Sequence, residues 1–267
     1  MAETSKDTLI ERMSSRAVPL FLMRKYVLKR LLPYHLLEDV TLDISKERGI
    51  DYTVVDPAHV STRRIKVKPV GDFEVLEDRK IALELDVVYE LINHAQDQDW
   101  ILVGIGREDP SLLWFAYKDV IRFRKMPALD ADLTRPPTIE FEVVISVSVA
   151  DLRYAVFELE KTGGHCVIYI NDGDGLVLEG PGTVGVEGTE VYPSFNVTYH
   201  KHNFYSVRTI LSLDYLREYL KSLHDTETLY IHLRSDYPVG FETHPYLGDD
   251  TYLQAPRIED SAHPFKR

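Results

Sequence analysis

The feature that most constrains this chain is a proline-rich stretch near its middle, MPALDADLTRPP at Met126–Pro137. Proline supplies no backbone donor and fixes its own φ, so Pro136 and Pro137 favour an extended linker rather than a strand or helix. Cutting the 267 residues here leaves two pieces of ordinary domain size. On either side the same order of elements runs twice.

In the first half, Ala17–Leu22 is an apolar strand. MRKYVLKRLLPYHLL then places Tyr26, Leu28, Leu31 and Leu32 at near-helical spacing, with Pro33 expected to kink or restart the helix. Val40–Ser45, Ile50–Val55 and Val60–Val67 alternate as strands, and Lys80–Leu85 leads into a helix with Val87, Leu91 and Ala95 on one face. Trp100–Ile105, Leu112–Tyr117 and Val120–Lys125 are three more strands.

Past the linker, Ile139–Ser146 is a strand. SVADLRYAVFELEKTGG is an amphipathic helix with Ser148 as N-cap and Gly163 as stop. Short strands follow at Cys166–Asn171, Leu176–Glu179, Val184–Val191, Phe195–His200 and Ser206–Leu211. SLDYLREYLKSLHD is a second capped helix, and Tyr230–Arg234, Val239–Thr243 and Tyr252–Ala255 end the series. Two helices among many hairpin-connected strands in each half is an α+β pattern with a domain-sized repeat.

No apolar run is long enough to cross a bilayer as a helix. The polar N-terminal MAETSKDTLIERMSSR lacks the apolar core of a signal peptide and is expected to be a short mobile extension. The single cysteine, Cys166, excludes an internal disulfide framework and fits a reducing compartment. It sits inside an apolar strand with no base nearby, a core position rather than a nucleophile.

Literal motifs fail on context. GPGTVG at Gly180–Gly185 matches a dinucleotide fingerprint, but strand continues where a helix is needed. NDGDG at Asn171–Gly175 lacks the glutamate of a calcium loop. His200 and His202 share a strand face without an apparent third ligand. No nucleophile motif, zinc-protease motif or phosphate loop occurs, so neither catalysis nor a cofactor is expected.

Charge is more informative. A formal net charge of −12 argues against a protein that coats itself with lysine to bind nucleic acid. It permits one that confines positive charge to one face. Lys25 and Lys29 lie four apart on the first helix, flanked by Arg24 and Arg30. Arg217 and Lys221 repeat that spacing on the last helix, and Arg153 and Lys161 lie eight apart on the third. The second helix carries Asp86, Glu90 and His94 instead.

Two segments resemble a known family. GIDYTVVDPAHVSTRRIKV at Gly49–Val67 looks like the strand–turn–strand signature of the proliferating cell nuclear antigen (PCNA) sliding clamps, and TYLQAPRIED at Thr251–Asp260 is similar to their C-terminal motif. The resemblance covers roughly residues 17–260. It implies a DNA clamp fold: an extension over 1–16, clamp domains over 17–125 and 139–260, a connector over 126–138 and a tail over 261–267.

In that family three subunits close head to tail into a ring around duplex DNA, with sheets outside and helices lining the hole. Arg24, Lys25, Lys29, Arg30, Arg153, Lys161, Arg217 and Lys221 would then meet phosphates without reading bases. Edge strands at Val120–Arg124 and Leu176–Gly182 would form the joint, through Val120, Arg122, Arg124, Leu176 and Leu178.

Polymerase, ligase, flap nuclease and clamp loader would dock short peptides on Val55, His59, Leu129, Leu133, Pro238, Ala255 and Pro256. Val55 in place of the usual methionine, and Leu253–Gln254 in place of Tyr-Leu, depart from the family pattern. The implied role is processivity and enzyme tethering, with a checkpoint or repair clamp in a heterotrimer as the alternative. A homotrimer and a heterotrimer stay open. The expected location is the cytoplasm, at the nucleoid, for an archaeal chain and the nucleus for a eukaryotic one.

Overall fold

The computed structural model describes residues 5–32, 39–126, 138–171, 175–180, 188–191, 197–202, 206–245 and 248–257. The chain divides into two compact units. Met1–Val55, Arg64–Pro136 and Tyr246–Asp249 form the first, and Asp56–Arg63, Pro137–Pro245 and Asp250–Arg267 the second.

After a helix α1 (Lys6–Ser14), the first half runs β1 (Ala17–Arg24), α2 (Lys25–Leu31), β2 (Asp39–Ser45), β3 (Gly49–Val55), β4 (Ser61–Val67), β5 (Phe73–Val75), β6 (Arg79–Glu84), α3 (Leu85–Ile92), β7 (Trp100–Gly106), β8 (Leu112–Tyr117) and β9 (Val120–Lys125). The second half runs β10 (Val143–Ser148), α4 (Val149–Leu159), β11 (His165–Asn171), β12 (Gly175–Gly180), β13 (Thr189–Val191), β14 (Thr198–His202), β15 (Val207–Ser212), α5 (Leu213–Lys221), β16 (Thr228–Leu233), β17 (Val239–Thr243) and β18 (Gly248–Gln254).

From β1 onward the two series coincide element by element: strand, helix, five strands, helix, three strands. Pairing repeats as well. β1 lies between β5 and β7 as β10 lies between β14 and β16, and β2 lies between β3 and β6 as β11 lies between β12 and β15.

Each unit has its own core. Val27, Leu28, Leu31, Val87, Val88 and Leu91 bring α2 and α3 onto one face of the first unit's strands. In the second, α4 buries Leu152, Ala155, Val156 and Leu159, the i, i+3, i+4, i+7 stripe of an amphipathic helix. Ser148 caps α4 by accepting from the Asp151 amide at 3.0 Å, and Gly163, at φ 143°, follows its end in a conformation open to glycine.

Three expectations need correction. The first helix is only Lys25–Leu31, because β1 extends through Arg24 and Met23 is a core residue of that strand; Pro33 lies outside the described residues. Strand β5, at three residues, is too short for an alternating pattern to announce it. Most consequentially, the N-terminal stretch expected to be mobile contains α1.

Ser5 caps α1, Asp7 and Arg12 suit the dipole at its two ends, and Leu9 and Met13, four apart, are buried. A helix of nine residues is marginal alone, so packing holds it. It lies on the face of the β5-β1-β7-β8-β9 sheet away from α2 and α3, against Leu22, Leu102, Trp114 and Ala116.

Gly104 permits the close approach: a Cβ there would stand 2.7 Å from both Met13 Sδ and the Val18 carbonyl oxygen. Polar contacts tie the helix down at several points. Arg12 reaches Asp119 (2.8 Å) and the Lys118 carbonyl (3.0 Å), Arg107 donates to the Ser14 carbonyl (3.0 Å), and Lys6 pairs with Glu74 (3.3 Å).

Met13→Ala should therefore lower unfolding free energy by about 2–4 kcal/mol. Urea denaturation is the check; a change within error would mean that α1 contributes nothing to the folded unit. Cys166 offers a second test. It is fully buried, and burial pushes its thiol up to about 12, so at pH 8 it is a neutral thiol. Iodoacetamide should label it only after denaturation, as read by intact mass.

Candidate functional site

The residues gathered from the two resembling segments meet, in the second unit, around a short loop. Asp56–Ser61 closes on itself: the Asp56 amide donates to the Ser61 carbonyl (3.1 Å) and the His59 amide to the Asp56 carbonyl (2.8 Å). The Asp56 side chain is 2% exposed. Its carboxylate accepts from the Ala58 amide (3.0 Å), the Ser61 amide and the Tyr215 hydroxyl of α5 (3.0 Å). A buried carboxylate is tolerable when donors replace its lost water, and three do so here. Pro57, Ala58 and His59 are left exposed, with His59 at φ 55°, unusual for a residue with a side chain.

The end of the chain runs beside this loop. The Ala255 amide donates to the Val60 carbonyl at 2.7 Å, and the Arg257 amide to the Ile210 carbonyl at 2.8 Å. Gln254, a departure from the family pattern, is completely buried and donates through Nε2 to the Ser212 carbonyl at 2.8 Å. Below lies a network that sequence reading did not single out. Arg63 makes a two-pronged pair with Asp250 at 2.9 and 2.5 Å, and its guanidinium lies 5.3 Å from the Tyr219 ring centroid. Tyr219 stacks on Tyr252 at 4.3 Å.

Burial and its bond to Asp56 push the Tyr215 hydroxyl up, so at neutral pH it keeps the proton it donates. Pro238 is half-buried after Tyr237, which is exposed under the Arg234 guanidinium. The sequence-assigned residues His59, Pro238, Ala255 and Pro256 all belong to this unit. Val55 ends β3 in the first unit, and Leu129 and Leu133 lie outside the described residues. The signal for the missed anchor was the Asp-Pro pair in VDPAHVS, which reads as turn punctuation and does not announce a buried carboxylate.

The basic residues assigned to helices fare differently from one another. Lys25 needs correction as a surface cation: it is 5% exposed, and its ammonium donates to the carbonyls of Asn93 (3.2 Å) and Ala95, just past α3. Burial, then the neighbouring Lys29, lower its pKa. Arg24 lies over the Trp100 ring at 4.3 Å and near Asp72 at 3.5 Å. Lys29 pairs with Asp97 at 2.8 Å, and Arg30 is half-buried.

On the second unit's helices, Arg153 turns toward the end of α5. It meets Asp225 and the carbonyls of Leu220 (2.8 Å) and Leu223 (3.1 Å). Arg217 is ringed by Asp214 (3.1 Å), Glu218 (3.4 Å) and Glu160 (3.7 Å), and Lys221 pairs with Glu218 at 2.8 Å. Lys161 is exposed but lies past the end of α4 rather than on it, which corrects its assignment to the helix; Tyr154 and Phe157 of α4 are exposed too.

Strand β9 is the edge of its sheet, with Val120 38% and Phe123 56% exposed. Phe123 stacks on Trp114 at 4.4 Å. Arg124 pairs with Glu90 of α3, and Arg122 donates to the Glu90 carbonyl at 3.4 Å; both thus have partners in their own unit. With Leu91 and Ile121 these residues line a depression of about 400 Å³.

The other edge assignment needs correction. β12 lies between β11 and β13, so β13 is the edge, and Leu176 and Leu178 are fully buried core residues. Alternation along β12 points both leucines inward, which a pattern-based edge assignment overlooks. His200 meets the Ser146 hydroxyl at 2.9 Å.

No protein-family model matches the chain. It is 28% identical over 222 residues to the DNA polymerase sliding clamp of Archaeoglobus fulgidus, spanning 80% of this chain and 87% of that one. It is 28% identical over 236 residues to the DNA polymerase sliding clamp of Methanocella arvoryzae, at 84% and 91%. Among solved structures, the fold matches A. fulgidus PCNA carrying the C-terminal region of FEN-1 with a TM-score of 0.77, at 20% identity over 91% of this chain and 100% of that one. It matches PCNA from Entamoeba histolytica with a TM-score of 0.75, at 15% identity, covering 90% and 100%.

The Arg63–Asp250 pair makes a clear demand. Both side chains are under a tenth exposed, so Asp250→Ala strands a buried guanidinium and should cost about 3–5 kcal/mol. Chemical denaturation measures it, and a loss below about 1 kcal/mol would show that the pair is readily replaced by water.

Proposed function

We infer that the chain is a PCNA-type sliding clamp, one subunit of a ring that tethers replication enzymes to DNA. The doubled element series carries this reading, together with the loop and chain end that the Ala255–Val60 hydrogen bond sets side by side. A clamp must hold duplex DNA without stopping on it, which calls for phosphate contact without base readout. Helices α2, α3, α4 and α5 are the elements assigned to that face. Lys29, Arg30, Lys161, Arg217 and Lys221 remain its cations on or near the surface, while Lys25 and Arg153 hold the fold together.

Head-to-tail assembly uses edge strands; β9 is the one the resemblance names in the first unit, and β13, which ends its sheet among the described residues, takes the place of Leu176–Gly182 in the second. Val120 and Phe123 give β9 an apolar contribution that suits a lasting joint. Clients of the flap-nuclease, polymerase and ligase classes would contact His59, Pro238, Ala255 and Pro256 of the second unit; the resemblance also names Val55, Leu129 and Leu133. A short peptide with apolar anchors matches such a surface. Tethering acts by effective concentration, so each client contact can be weak.

The chain, alone or with companion clamp subunits, should raise the length of product made by a DNA polymerase on long primed template. Lack of any stimulation in every subunit combination would remove the replication reading. Leu129→Ser with Leu133→Ser should weaken binding of a client peptide about tenfold or more, a loss of roughly 1.4 kcal/mol or above. Oligomer size by light scattering should stay unchanged; if assembly fails instead, the connector belongs to the joint.

A further inference from the structure

We propose that the hydrogen bond from Tyr215 of α5 to Asp56 holds the Pro57–Val60 loop in the shape a client peptide meets, making Tyr215 a positioning residue for client binding. The proposal rests on the client surface assigned above and adds to it a residue outside the contact surface.

The argument starts from where the Asp56 donors come from. Two of the three, the amides of Ala58 and Ser61, belong to the loop itself. They fold it into a closed turn and move wherever the turn moves. The third, the Tyr215 hydroxyl, is carried by a helix whose Leu213, Leu216, Tyr219 and Leu220 are buried in the second unit's core. Of these donors it alone fixes the turn to the scaffold. At the other end the loop is attached through the Val60 carbonyl, which takes the Ala255 amide. The exposed residues Pro57, Ala58 and His59 thus lie between Asp56, which α5 holds through Tyr215, and Val60, which the chain end holds through Ala255.

Strain makes these ties matter. His59 is held at φ 55°, a conformation that a residue with a side chain leaves unless its surroundings over-determine it. The buried Asp56 carboxylate does that by drawing the Ala58 and Ser61 amides toward one point. Removing the Tyr215 hydroxyl takes from that buried carboxylate one of its three donors, so the turn gains by swinging Asp56 toward water. A peptide binding the loosened turn must first re-form it, and its apparent affinity falls by the fraction of time the turn is formed.

The side chain is suited to the task. Tyr215 is only partly buried, and Phe fills the same volume, so Tyr215→Phe removes the hydrogen bond without opening a cavity.

The test is Tyr215→Phe in the full chain, read two ways. Amide hydrogen exchange at Ala58 and Ser61 should speed up about fivefold or more, the scale of one hydrogen bond, while exchange in β10, β16 and α4 stays as it was. Binding of a synthetic peptide with the C-terminal sequence of FEN-1, followed by calorimetry, should weaken about fivefold. The double variant Tyr215→Phe, Asp56→Asn should bind no worse than Asp56→Asn alone, because both changes cut one tie.

Unchanged exchange at Ala58 and Ser61 overturns the anchor. Faster exchange with unchanged peptide affinity overturns the link to client binding. A wild-type chain that fails to bind the peptide, with the exchange response intact, overturns the client reading itself and leaves the turn anchored for another reason.

Discussion

Every strand presents side chains alternately to two faces, and the structure depends on what covers each of them. In both halves amphipathic helices cover one face: α2 and α3 in the first, α4 and α5 in the second. The same order of strands and helices, repeated with the same neighbours, solves the same burial problem twice. The first unit adds a second solution. Its five-stranded sheet is apolar on both faces, with Phe21, Val103 and Phe115 toward α2 and α3 and Leu22, Leu102 and Trp114 toward α1. A strand pattern of that kind reads as a continuous apolar run, as in WILVGIG and LLWFAY, and it requires cover on both sides.

That run is visible in the sequence; the element that covers its second face is not. The strand order and the helix stripes on Val87, Leu91, Leu152 and Leu159 are local periodicities, and they are legible. The partner of the second sheet face is not, because KDTLIERMS is a short polar segment whose helix exists only through contact with Leu102 and Trp114, about ninety residues and more away in the chain. The edge strand went astray for a related reason. Leu176 and Leu178 look like any alternating strand, and only the pairing of β13 onto β12 shows which strand ends the sheet.

The same division runs through the functional surfaces. Residues assigned to client contact, such as His59, Pro238 and Ala255, were named from the motif positions of the resemblance. Residues that hold them, Asp56, Tyr215, Arg63, Asp250 and Gln254, were not, because their roles depend on partners far apart in sequence. Spacing along a helix also misjudged charge. Lys25 and Lys29 stand four apart, but one ammonium is sunk on carbonyls beyond α3 and the other sits on Asp97.

Those carboxylate-partnered cations bear on how the ring would respond to its ionic medium. DNA affinity that comes from phosphate contact falls with salt because each cation displaces condensed counterions from the duplex. Arg217 beside Asp214, Glu160 and Glu218, Lys221 beside Glu218 and Lys29 beside Asp97 already carry their own counterions in covalent form. Exchanging a carboxylate for a phosphate frees few small ions. If the proposed ring lines its hole with these side chains, it would hold DNA loosely in dilute buffer and give up little of that hold in concentrated salt, and retention would fall to the closure of the ring rather than to the charge of its lining.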